Sequence, residues 1–170
     1  MLFMGGDAKN RSAKTLRVCE MFHSIQGEST WAGLPCFFIR LTGCNLRCVW
    51  CDTAYSFAEG KRMSLAAILD AVKKAGCPLV EITGGEPLAQ RACGDLAALL
   101  LDAGHTVLVE TGGSLPIDRL PEQAIKIMDL KCPDSGMCDK NHWPNLELLH
   151  PDRDEVKFVC ASRLDYEWGR

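Results

Sequence analysis

Residues 17–25 and 36–41 are runs in which β-branched and aromatic side chains dominate, and both predict strands. The glycines of Gln26-Gly27-Glu28-Ser29-Thr30-Trp31-Ala32-Gly33 permit a turn between them. Leu65, Ile68, Leu69 and Val72 then fall at i, i+3, i+4 and i+7, behind Ser64 and ahead of Gly76. That stripe predicts an amphipathic helix with Ser64 as its N-cap. Asp70, Lys73 and Lys74 suit its solvent side and its C-terminal dipole. Residues 79–83 form a short apolar run that predicts a strand. Leu96, Leu99, Leu100 and Ala103 repeat the helical spacing from about Asp95 to Gly104. Residues 106–110, 124–130 and 155–160 predict further strands, the second after a proline-interrupted segment. The alternation from Ser64 onward predicts βαβ units, with helices covering a mainly parallel sheet. Residues 1–16 lack periodicity and read as a flexible polar leader to a single domain over 17–170.

Composition narrows the function classes. A chain of 170 residues that is 47% hydrophobic has material for one domain with a real core. With 19 basic against 22 acidic residues, a net charge of -3 offers no positive field for a phosphate backbone, so no nucleic-acid partner is expected. The longest apolar stretch, residues 97–101, is far too short to cross a bilayer, and the first 18 residues do not read as a secretory signal. A cytoplasmic protein without a membrane partner is expected. Ten cysteines in such a chain point to a reducing compartment, where thiols bind metals or fill cores.

The chemistry gathers where Cys44, Cys48 and Cys51 place three thiols within eight residues, with no fourth at matching spacing. Structural zinc takes four ligands, and an iron-sulfur cube is normally tied by four thiolates. Three thiols leave one position for something reactive. From spacing alone, a zinc site completed by a distant Cys or His, or simply buried thiols, stays open. Three further loops, Gly84-Gly85-Glu86-Pro87, Thr111-Gly112-Gly113-Ser114 and the segment from Lys131 to Gly136, each follow an expected strand, as the cysteine string does. Ligands of parallel α/β sheets bind at the carboxyl ends of strands, so these loops are expected on one rim and one site. Of the remaining cysteines, Cys19, Cys36 and Cys160 are expected in the core. Cys132 and Cys138, with Cys77 or Cys93, could bind an auxiliary cluster. His105, His142 and His150 are expected at the surface and His23 packed near the pocket.

The C-x3-C-x2-C run with Trp50 before its last cysteine resembles the radical S-adenosylmethionine (SAM) enzymes, and Gly84-Gly85-Glu86 resembles their GGE motif. Phe22-His23-Ser24-Ile25-Gln26-Gly27-Glu28, Gly33-Leu34-Pro35, Phe38-Ile39-Arg40-Leu41 and Trp50-Cys51-Asp52-Thr53 resemble, within that superfamily, the 7-carboxy-7-deazaguanine synthases of 7-deazapurine (queuosine) biosynthesis. The resemblance runs from about Val18 to the end of the chain. It implies an α/β fold built as an incomplete β/α barrel, with a [4Fe-4S] cluster on Cys44, Cys48 and Cys51. SAM would lie against Trp50, Cys51, Asp52, Gly84, Gly85, Glu86, Glu110, Asp129 and Lys131, and magnesium at Thr53. The pterin substrate would be held by Ile25, Gln26, Gly27, Glu28, Arg40 and Thr83. The implied reaction is a carbon-nitrogen lyase step in which an adenosyl radical takes a hydrogen from 6-carboxy-5,6,7,8-tetrahydropterin, and the ring contracts to 7-carboxy-7-deazaguanine with loss of ammonia. The resemblance also implies a homodimer and an electron donor such as flavodoxin or ferredoxin. Members usually continue past the position of Arg170, so either a truncated chain or a compact member is expected. A glycyl-radical-type activating enzyme is the neighbouring alternative, against which Gln26-Gly27-Glu28 and Asp52-Thr53 argue. A non-catalytic zinc module is the distant one.

Overall fold

The computed structural model describes residues 11–170. Seven strands form one open sheet in the order β3-β1-β2-β4-β5-β6-β7. β1 (Thr15–Ile25) runs antiparallel to β2 (Pro35–Leu41) and to β3 (Lys61–Ser64). From β2 across β4 (Leu79–Gly84), β5 (Thr106–Thr111), β6 (Ile125–Asp129) and β7 (Glu155–Lys157) every pairing is parallel. The expected incomplete barrel is therefore a mostly parallel sheet that does not close.

Helix α1 (Leu65–Ala75) connects β3 to β4, and α2 (Cys93–Asp102) connects β4 to β5. α1 starts as expected: Ser64 Oγ accepts from the Ala67 amide at 3.2 Å, and Gly76 closes the helix in the left-handed conformation at φ 65°. Leu65, Ile68 and Val72 of α1 and Leu96 and Leu100 of α2 join Ile39, Leu41, Val80, Ile82, Val107 and Val109 of the sheet in one buried core.

Four expectations change. Order reaches back before Arg17: Leu16 is 1% exposed and pairs with Met63, while Lys14 O accepts from the Leu65 amide at 2.9 Å. The partner strand, β3, lies far along the chain in a polar stretch, so local composition hides the pairing. Residues 1–10 of the leader expected over 1–16 lie outside the described residues. The alternation of strand and helix stops after β5, since β6 and β7 are reached through turns and short 3-10 segments. The last strand ends at Lys157, leaving Cys160 exposed and outside the core. A short helix, α3 (Arg163–Gly169), follows it, capped by Ser162.

The helices cover one face of the sheet, and the other face builds the site. In β2, Phe38 and Arg40 alternate with the core residues Ile39 and Leu41; in β4, Glu81 and Thr83 alternate with Val80 and Ile82. Parallel register aligns these side chains: Phe38 with Glu81, Arg40 with Thr83, Glu110 with Ile127, and Asp129 with Lys157. Because side chains alternate across a strand, a register of this kind puts a row of polar groups on one face.

Candidate active site

That face and the loops at its carboxyl rim enclose a cavity of about 510 Å³. Cys44, Cys48 and Cys51 line it from the loop after β2, with Trp50, Asp52 and Thr53 beside them. The loop is held from several sides. The Val49 amide donates to Ser135 O at 3.0 Å, the Leu46 amide to Cys44 Sγ at 3.3 Å, and the Arg47 guanidinium lies 4.3 Å over the Phe57 ring. Burial pushes the Cys44 and Cys48 thiols up, while the Lys131 ammonium partly opposes this at Cys48.

Gly84 and Gly85 also line the cavity, and their lack of side chains serves the protein itself. A Cβ on Gly85 would sit 2.4 Å from Gly43 O and 2.6 Å from Cys44 Cβ; one on Gly84 would sit 2.3 Å from Leu41 O. The Glu86 amide donates to Gly43 O at 2.8 Å. The turn after β4 thus lies directly against the first cysteine, which only glycine permits.

Glu86 contributes its side chain to the rim and not to the cavity, and that side chain is fully buried. It accepts from the Leu88 amide at 2.9 Å, the Gly112 amide at 2.8 Å and Thr111 Oγ1 at 2.9 Å, fastening the loop after β4 to the loop after β5. Burial still pushes its carboxyl up despite these donors. The side chain acts as a brace between loops.

Ile25, Gln26, Gly27, Glu28, Arg40 and Thr83 all line the cavity at the β1–β2 side. Gln26 is 5% exposed, and its amide is already engaged: Oε1 accepts from the Gly27 amide at 3.0 Å and Nε2 donates to Glu81. Its side chain shapes the turn. Arg40 meets Glu20 through Nε at 2.7 Å, with its guanidinium 5.7 Å from the Phe22 ring, which stacks on Phe38 at 5.0 Å. Thr53 Oγ1 donates to Asp52 Oδ1 at 2.5 Å.

Two site residues were absent from the sequence reading. Glu81, 3% exposed, and Lys157 line the cavity and complete a charge network with Glu28 and Glu110. Lys157 Nζ bonds to both Glu28 and Glu110, and Thr83 Oγ1 donates to Glu110 Oε2 at 3.0 Å. Burial, then the charge of Glu110, pushes the Glu81 carboxyl up to about 8, which favours its protonated form. Burial alone would raise Glu110, but Lys157 outweighs it and holds that carboxyl low. Lys157 in turn is raised, its two carboxylates overcoming its own burial. A signal for Glu81 existed: it is the one charge in the apolar run Leu79-Val80-Glu81-Ile82, which a strand buried on both faces does not tolerate without a purpose.

Asp129 and Lys131 face the cavity from the end of β6, joined at 2.7 Å. Asn141 brackets the Lys131 backbone, accepting from its amide at 2.9 Å and donating to its carbonyl at 3.0 Å. Asp129 Oδ1 is buried with no hydrogen-bond partner among the described residues. An unpartnered carboxylate oxygen in a cavity wall is costly unless a ligand supplies the donor. With three thiols on one loop and glycines opposite, the donor set fits an iron-sulfur cluster and a hydroxyl- or ammonium-bearing cofactor.

These features define a radical SAM protein: the sequence model of the Radical SAM superfamily matches residues 38–137. The 7-carboxy-7-deazaguanine synthase of Koribacter versatilis (strain Ellin345) is 46% identical over 157 residues, covering 91% of this chain and 69% of that protein. That of Chlorobaculum tepidum is 45% identical over 157 residues, covering 91% and 71% respectively. The chain belongs to the 7-carboxy-7-deazaguanine synthase family. In fold it is similar to the crystal structure of QueE from Escherichia coli, with a TM-score of 0.72 at 20% identity, covering 96% of this chain and 94% of that one.

Proposed function

We propose that the chain converts 6-carboxy-5,6,7,8-tetrahydropterin to 7-carboxy-7-deazaguanine with loss of ammonia. The observation that carries this reading is that the three-cysteine loop and the network of Glu28, Glu81, Glu110, Lys157 and Arg40 share one cavity. Cys44, Cys48 and Cys51 would hold a [4Fe-4S] cluster, which with SAM would supply the one-electron chemistry for hydrogen abstraction.

The protein's own groups bind and orient. The carboxylate of Glu28 accepts from the N–H edge of a flat heterocycle, and the Arg40 guanidinium, which meets Glu20 through Nε, offers its terminal nitrogens to a substrate carboxylate. Phe22 and Phe38 supply an apolar wall for the ring. The raised Glu81 carboxyl favours holding its proton, which relieves the repulsion among three carboxyl groups around one lysine. Asp129, with one oxygen on Lys131 and one free, is suited to the hydroxyls or ammonium of SAM. The same reading puts SAM along Trp50, Asp52, Gly84 and Gly85, and magnesium at the Thr53 hydroxyl, where the ion would keep most of its waters.

It further includes a homodimer fed by flavodoxin or ferredoxin in the cytoplasm, with one radical SAM domain over 17–170. Among the described residues no helix is long and apolar enough to cross a membrane. Anaerobic reconstitution tests the reading. The expected result is a coloured four-iron protein whose spectrum changes on adding SAM and which releases 5'-deoxyadenosine only when carboxy-tetrahydropterin is present. Release that ignores the pterin would remove the named substrate.

A further inference from the structure

We propose that Cys132 and Cys160 form a reversible disulfide that fastens the loop after β6 to the segment after β7 at the mouth of the cavity. The register sets up the pairing. Asp129 lies opposite Lys157, and the Leu130 amide donates to Lys157 O at 3.0 Å. Three residues beyond the end of each strand stand Cys132 and Cys160, and Cys160 is one of the neighbours that act on the Cys132 thiol. A single carboxylate holds both turns. Asp165 of α3, fully buried, accepts from the Asp134 amide at 2.9 Å and from the Ala161 amide at 2.9 Å. The two thiol-bearing segments are therefore tied together on either side of the cysteines, by the Leu130–Lys157 bond and by Asp165, before any disulfide forms.

The two thiols divide the chemistry between them. Cys160 is exposed and meets a small oxidant first, whereas Cys132 is buried, its thiol directed at Leu130 O at 3.9 Å. With a low-molecular-weight disulfide such as oxidised glutathione, the Cys160 thiolate attacks one sulfur, and the S–S bond of the oxidant breaks to release one thiol. Cys132 gives its proton to solvent and attacks Cys160 Sγ, expelling the second thiol. The small disulfide is reduced to two thiols as the two cysteines are oxidised. Burial, then the neighbouring charges of Cys160, Asp165 and Asp129, pushes the Cys132 thiol up to about 12, so the second step is the slow one. The bond ties the loop that follows Asp129 and bears Lys131 to the segment that follows Lys157 and bears Val159, and all four residues line the cavity. Its formation does not depend on the substrate assigned above.

The test equilibrates the reconstituted full chain, without oxygen, in glutathione buffers from fully reduced to fully oxidised. Free thiols are alkylated before peptide mapping by mass spectrometry. Expected is a linked Cys132–Cys160 peptide pair, lighter by two hydrogen atoms than its free halves. Dithiothreitol should reverse it, Cys160→Ser abolish it and Cys138→Ser leave it in place. Amide exchange over residues 158–165 should slow severalfold in the oxidised protein, and Cys160→Ser in the same buffer should not show this. A glutathione adduct that stays on Cys160 with Cys132 free, a Cys132–Cys138 link, or unchanged exchange despite the link would overturn the proposal.

Discussion

Glu81 carries more of the site's character than any residue the motifs name. Its carboxyl is raised from 4.5 to about 8 by burial and by Glu110. A raised acid contributes its full stability below its ordinary value and loses it as pH climbs through the folded value. The protein is therefore expected to lose stability between pH 4.5 and about 8 through this group, as the unfolded chain gives up the proton that the folded chain keeps. Glu81→Gln keeps an acceptor for Gln26 and a donor for Glu110 without the proton. Urea midpoints measured across this range should fall in the wild type and stay flatter in the variant; parallel curves would refute the assignment. Gly85 makes the complementary point about space. A methyl there would meet Gly43 O at 2.4 Å, so Gly85→Ala is expected to cost about 3 kcal/mol and to lower the iron retained after reconstitution, read by melting temperature and iron assay. The sequence displayed Gly85 through its motif. It displayed Glu81 only as an oddity, because whether a strand charge is neutralised depends on neighbours brought by other strands.

At the level of elements, the rim is a set of loops fastened to one another. Glu86 joins the loop after β4 to that after β5, Asn141 steadies the Lys131 backbone, and Asn145 donates to Gly113 O at 3.2 Å and to Leu115 O at 2.9 Å. Glu86→Ala would strand two amides and a hydroxyl in a buried place, at a cost of about 3 kcal/mol or more. Both melting temperature and SAM affinity should fall, whereas loss of SAM affinity alone, with stability intact, would mean that Glu86 meets the cofactor directly. The elements that local pattern reveals well are α1 and α2, where the apolar stripe and the Ser64 cap are contained within one segment. β3 and α3 stayed hidden for the opposite reason. β3 exists because β1 is beside it, and α3 is anchored by Asp165 reaching to Asp134 and Ala161.

Across the whole molecule, one sheet separates a helix-covered core from a polar cavity, and its far end is closed by a second buried pair. Asp154 meets Lys126 Nζ at 3.2 Å and accepts from the amides of Lys126 at 3.0 Å and His150 at 2.9 Å. Burial alone would raise the Asp154 carboxyl, but these donors and the ammonium hold it below its ordinary 3.8. A lowered acid contributes stability above its unfolded value and loses it as pH falls through the folded one, so acid unfolding below about pH 4 should draw on this pair. Asp154→Ala leaves Lys126 buried without its partner and is expected to cost about 3–5 kcal/mol in urea titrations at pH 7, with a weaker acid dependence below that. By itself the sequence determined the three-thiol loop, the glycine turn, the two helices and the parallel strands, since each is written in residues close together along the chain. Tertiary structure alone decided that the Glu81 carboxyl is raised, that Glu86 braces loops and that Lys157 joins the site. Those outcomes depend on register and burial, which set distances and local dielectric between residues far apart in sequence.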